Sequence, residues 1–84
     1  MIPKRQHIDT TKDFVLTKAL LRAVDNLAIP RADLALILGI SEPSLSRLYA
    51  NRLIAIKSKE GELATFLLKI YQYYQIFIKN ILNI

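Results

Sequence analysis

Residues 31–52, RADLALILGISEPSLSRLYANR, decide the fold. They read as two short helices joined by a tight turn. Leu34, Ala35, Ile37 and Leu38 give the first helix an apolar stripe at helical spacing. Gly39 follows at once, where a helix ends at least cost in a left-handed residue. Ile40 is placed to plug inward. Ser41 stands as N-cap of the second helix, its hydroxyl meeting orphan backbone N–H groups. Pro43 falls in that helix's first turn, where a missing N–H costs nothing. Leu45 and Leu48, three apart, form its inner edge. Asn51, which tolerates the left-handed conformation, is placed to end it. Ala35 is small where the two helices would touch.

With the inner edge assigned, the outer face of the second helix holds Glu42, Pro43, Ser44, Ser46, Arg47 and Ala50. Small polar residues with one arginine make a surface suited to a DNA major groove. The stretch resembles the helix-turn-helix of the Xre/Cro repressor-like superfamily, whose key places are filled by Ala35, Gly39, Leu45 and Leu48. The alternative is an ordinary αα-hairpin in a small helical domain; four filled places and a polar exterior together favour DNA. On that reading Ser41 and the amides at the second helix's start hold a phosphate. The fork of Arg47 matches O6 and N7 of guanine. Ser44 and Ser46 reach base edges or phosphates, and Glu42 accepts from a cytosine amino group or simply stabilises the helix start. Pro43 and Asn51 complete the expected DNA-binding face.

Eighty-four residues make one domain, expected to span the whole chain, and its core is marginal unless helices pack well or chains associate. Hydrophobic residues are 52% of it, high for a chain with so little interior, so some apolar surface should meet a partner. A net charge of +5 and a pI near 9.8 favour a polyanionic partner, although many basic proteins share these values. With no cysteine, disulfide scaffolding and thiolate metal sites are excluded, and a cytoplasmic setting fits. No apolar segment follows the basic Met1–Arg5 start, so no secretory signal is expected. One histidine, two glycines and no carboxylates paired at metal or acid–base spacing leave no candidate catalytic, metal or cofactor site. The chain does not read as an enzyme.

Before the central stretch, residues 1–9 look like a loose arm carrying Lys4, Arg5 and His7, either a reach along the DNA backbone or a frayed terminus. Thr10 or Thr11 can cap a first helix, with Asp13 completing a weak relative of the capping box. That helix should run to about Leu27, with Phe14, Leu16, Ala19, Leu20, Ala23, Val24 and Leu27 inward and Lys12, Lys18, Arg22 and Asp25 wet. Pro30 suits the opening of the next helix, where Arg31 lies near enough to the start to touch phosphate. After the central stretch, Arg52–Ser58 reads as a connecting loop with Leu53 and Ile56 tucked under the helices. Arg52, Lys57 and Lys59 are there as phosphate contacts or as an ordinary solvated basic loop.

A last helix should begin near Ser58 or Lys59 and cover residues 59–82, with Gly61 weakening its first turn and Glu60 and Glu62 favouring that end. Its polar residues, Glu62, Thr65, Lys69, Gln72, Gln75, Lys79 and Asn83, fall on one stripe about 140° wide. The remainder is apolar, far more than the arc of about 100° that covering one small core requires. Three readings compete: self-association, docking of another protein, and an interfacial membrane helix. Uncharged Gln and Asn on the polar face oppose the last, and Lys69 with the glutamines opposes a transmembrane span. Self-association through Leu67, Ile70, Tyr71, Tyr74, Phe77, Ile78 and Ile81 suits a regulator reading two half-sites roughly 34 Å apart.

From Leu16 to Tyr74, about seven-tenths of the chain, the order of features resembles one branch of that superfamily. The branch is the N-terminal helix-turn-helix domain of Xre/MbcA/ParS-type antitoxins of RES–Xre toxin–antitoxin systems. The resemblance is carried by TKALLRAVDNLAIPRADLALILGISEPSLSRL, a basic loop, and LLKIYQYY. Gly39-Ile40-Ser41 and Ser46-Arg47 are its more specific part; Pro30 departs from the serine-like cap more usual in the family. It implies an all-α bundle with a lambda repressor-like helix-turn-helix, and a homodimer binding double-stranded operator DNA to repress its own operon. It also implies toxin neutralisation through a separate C-terminal domain. After Tyr74 only QIFIKNILNI remains, so a toxin surface is not carried over; a truncated form or a stand-alone regulator is expected. A protein-interaction module, with a toxin or other protein on the aromatic last helix, is the alternative.

Overall fold

A computed structural model describes residues 4–83, with side chains described from Thr11 to Asn83. The described residues form four helices and no strand: α1 (Lys4–Leu27), α2 (Arg31–Leu38), α3 (Glu42–Ala50) and α4 (Lys59–Leu82). The bundle is all-α, as expected.

The turn between α2 and α3 is built by local chemistry. Gly39 is left-handed at φ 69°, its N–H donating to the Leu36 carbonyl and that of Ile40 to the Ala35 carbonyl. These are the paired bonds of a Schellman ending. Ser41 is extended, its hydroxyl accepting from the Ser44 N–H at 3.2 Å, and Pro43 sits in the first turn of α3. Asn51 ends α3, but with φ −164° it is extended rather than left-handed: bonds from the Asn51 and Arg52 N–H groups to the Arg47 carbonyl close the helix without that conformation.

α1 is longer than its sequence suggests. It begins at Lys4, so residues 4–9 are helical rather than a loose arm, and neither Thr10 nor Thr11 opens it. Residues 1–3 lie outside those described. Its other end behaves as the turn after α2 does: Ala28 takes φ 56°, and bonds from Ala28 to Asp25 and from Ile29 to Val24 repeat the Schellman pattern with alanine in the glycine's place.

One core joins all four helices, formed by Leu16, Leu20 and Val24 of α1, Leu34, Ala35 and Leu38 of α2, Leu45 and Leu48 of α3, Ile54 of the loop, and Ala64 and Leu67 of α4. Two helical residues expected inside are outside: Phe14 is 51% and Ile37 41% exposed. At 100° per residue Ile37 lies at the edge of α2's apolar arc, and Phe14 falls about 80° outside that of α1. Lys18 instead places its ammonium 5.4 Å from the Phe14 ring centre.

The loop before α4 also packs differently. Ile54 is the fully buried residue, Leu53 is half-buried, and Ile56 is exposed. Thr17 explains the choice. Buried on α1, its hydroxyl accepts from the Ile54 N–H at 2.8 Å and donates to the Asp13 carbonyl. Asp13 Oδ1 accepts the Ile56 N–H at 2.8 Å, so this carboxylate holds a loop 43 residues away instead of completing a capping box. At the far end of α1, Asn26 Nδ2 donates to the Tyr71 hydroxyl at 2.8 Å. Those ties make α1 and α4 parallel neighbours.

Ser58 caps α4, accepting from the Gly61 N–H at 3.0 Å. Gly61 is buried there, and a Cβ on it would lie 2.2 Å from the Ala55 carbonyl oxygen. Its role is to let the loop lie against α4, which outweighs its weakening of the first turn. No helix among the described residues is long and apolar enough to cross a membrane.

Candidate nucleic-acid interface

Leu45 and Leu48 are buried, which fixes the rotation of α3 about its axis. Glu42, Pro43, Ser46, Arg47 and Ala50 are consequently exposed, and Ser44 is half-buried at the flank. The guanidinium of Arg47 donates through Nη2 to the Ser44 hydroxyl at 3.2 Å. That bond, one turn back along the helix, leaves the rest of the fork facing solvent. Ser41 uses its oxygen as the cap acceptor, so its hydroxyl hydrogen stays available to donate outward. Among the first amides of α3, Pro43 has no N–H, Ser44 is bonded to Ser41 Oγ, and Leu45 donates to the Ser41 carbonyl.

The expected flanking cations separate into three situations. Arg31 stacks its guanidinium 4.0 Å from the ring centre of Tyr49, joining the start of α2 to the end of α3. Lys57 is exposed in the loop, as are Lys59 at the start of α4 and Asn51 after α3. Arg52 is different. It donates from Nη1 and Nη2 to the two carboxylate oxygens of Glu60 at 3.0 and 2.9 Å. The hydrogen bond to Glu60 raises its pKa above the ordinary arginine value, against an opposing contribution from burial. Its fork is therefore committed to latching the end of α3 to the first turn of α4, and it leaves the expected phosphate-contact set.

Tyr49 is the residue that reading the sequence missed. An exposed aromatic at the last turn of a helix, opposite an arginine opening the helix before it, is the signal that was present.

A small-residue corner at Gly39, a capped second helix and a polar outer face over two buried leucines now stand together. The model of the antitoxin Xre-like helix-turn-helix domain matches residues 6–69, about three quarters of the chain. The chain belongs to the antitoxin Xre-like helix-turn-helix family. This is a DNA-binding family of antitoxin type rather than an enzymatic one. No curated protein and no solved structure matches the chain. The family match takes in all of α2 and α3 and the first half of α4, ending at Lys69. Tyr71, Tyr73, Tyr74 and Phe77 lie beyond it.

Of the residues expected to mediate dimerisation, Leu67 is in the core at 8% exposure and is withdrawn from that set. Tyr71 is half-buried, its hydroxyl accepting from Asn26 and from Gln75 Nε2 at 2.9 Å, and Ile78 is also half-buried. Ile70, Tyr74, Phe77 and Ile81 are exposed and share one side of α4 with Phe66 and Tyr73.

Proposed function

We propose that the chain is a sequence-specific transcriptional regulator, acting in the cytoplasm as a dimeric repressor on double-stranded operator DNA, its own operon included. The observation carrying this reading is the outer face of α3, where Arg47 stands exposed and oriented by Ser44 over buried Leu45 and Leu48. In this reading α3 lies in the major groove. Arg47 takes guanine O6 and N7, and Ser46 reaches an adjacent base edge. A phosphate sits on the Ser41 hydroxyl and the Glu42 amide. Pro43 and Ala50 allow close approach. Arg31, Asn51, Lys57 and Lys59 follow the flanking backbone, and the exposed side of α4 pairs two copies so that two half-sites are read.

The test is random-site selection with the purified chain, followed by gel shifts on the selected duplex. A palindrome is expected. Arg47→Ala should cost about 1–3 kcal/mol on that duplex and relax base choice at one position per half-site. Affinity should also fall steeply with salt, because several phosphates are neutralised. Equal loss on random DNA would move Arg47 to the backbone, and a flat salt response would favour a protein partner, such as a toxin, for this chain.

A further inference from the structure

Away from the helix-turn-helix, a groove runs between α1 and α4. Val15, Ala19 and Leu68 line both a cavity of about 570 Å³ reaching to Gln75 and one of about 410 Å³ reaching to Thr11. A further stretch of about 270 Å³ continues along α4 to Lys79. At 1.5 Å per residue, Thr65 to Lys79 spans about 21 Å, or close to four helical turns. The groove's edge is apolar as well, since Val15 is 59% exposed. Among the described residues that line it, the charged ones are all cations: Lys12, Lys18, Arg22 and Lys79. No carboxylate is among the described lining residues, and among the described residues the only ion pair is Arg52–Glu60, elsewhere.

We propose that this groove is the docking site for an acidic amphipathic helix of a partner protein. Its concave apolar floor suits the apolar face of a helix, while a phosphodiester backbone would leave that floor uncovered. Four cations along the groove select glutamates or aspartates flanking that face. A second copy of this chain is proposed for the opposite side of α4, away from this groove. The site uses no residue of α3, and the groove side of α4 lies roughly 160° around the helix from Phe66, Ile70, Tyr73 and Phe77. It therefore stands apart from the DNA face and from the exposed dimer side; of the residues expected to mediate dimerisation only Tyr71, half-buried and bonded to Asn26, lines it.

The experiment uses the full chain, isotopically labelled, and a synthetic helical peptide of about fifteen residues with leucines at spacings of three and four and glutamates elsewhere. Amide shifts should gather at Val15, Ala19 and Leu68 and leave Ser44 to Arg47 unmoved. The double variant Lys18→Glu, Arg22→Glu, at two exposed positions, should weaken the peptide at least about tenfold while retaining its helical circular dichroism and operator affinity. A lysine-for-glutamate peptide should not bind. No grouped shift at millimolar peptide overturns the proposal, as does binding on the Phe66–Phe77 side or equal binding of the lysine peptide. Groove shifts produced by phosphatidylglycerol vesicles or duplex DNA in place of the peptide overturn it too. Parallel loss of operator binding in the double variant would assign these cations to DNA, whereas failure of the DNA reading itself shows as no operator binding by the unmodified chain.

Discussion

Two residues meet the same backbone demand with different side chains. Gly39 and Ala28 both take the left-handed conformation after a helix, and each turn carries the same pair of bonds back to the helix carbonyls. For alanine that conformation costs about 1–2 kcal/mol, partly offset by the larger entropy that glycine loses on folding. Ala28→Gly should therefore stabilise the chain by about 0.5–1 kcal/mol, and Gly39→Ala should destabilise it by a similar amount. A Cβ at Gly39 would meet only Leu63 Cδ1 at 3.9 Å, an ordinary contact, so the backbone angle alone decides that variant. Urea titrations of the two variants should shift their midpoints in opposite directions. Shifts of the same sign would place the cause in packing.

At the level of elements, what was legible followed from chemistry within a few residues. Gly39, Ser41, Pro43 and Ser58 mark the limits of α2, α3 and α4 because caps and turns are made by neighbours in sequence. Contacts closed across long separations were not legible. The Thr17 bond to Ile54 spans 37 residues and the Asp13 bond to Ile56 spans 43, so the loop's buried residue was misassigned. The candidate site divides in the same way. The face of α3 followed from Leu45 and Leu48, whereas the removal of Arg52 from it depends on Glu60 in another helix. Gly61 is the sharpest case: its helix propensity argues against it and its packing requires it. Gly61→Ala would place a Cβ 2.2 Å from the Ala55 carbonyl oxygen and 2.8 Å from that of Ile56, both backbone atoms. The loop must then move off α4, and a loss of about 2–3 kcal/mol is expected, near the upper end of overpacking costs. Thermal unfolding should show a much larger drop for Gly61→Ala than for Gly39→Ala. A neutral or stabilising Gly61→Ala would mean the loop yields freely and the Arg52–Glu60 latch does not hold it.

The whole molecule exposes more than its size calls for. Its accessible surface is 6201 Å², against about 5100 Å² for a compact monomer of this mass. The radius of gyration, 14.5 Å, likewise exceeds the roughly 12 Å of a compact domain of this length. The excess, on the order of 1000 Å², resembles the ~800 Å² that each partner buries in a standard interface. α4 leaves large apolar side chains in water, Tyr73 at 71% and Phe77 at 61% exposure among them. Apolar surface left against water on that side is unfavourable in the isolated chain, and pairing two copies across it is the proposed relief. The double variant Tyr73→Lys, Phe77→Lys alters two side chains the monomer does not bury, so stability at low concentration should hold. Sedimentation equilibrium should give a dimer for the unmodified chain at tens of micromolar and a monomer for the variant. The variant should keep its affinity for a single half-site duplex and lose at least about tenfold on the full palindrome, because the second half-site no longer arrives tethered to the first. An unmodified chain that stays monomeric at those concentrations would reassign the aromatic side of α4 to a different protein, with operator recognition by α3 left to stand or fall on Arg47.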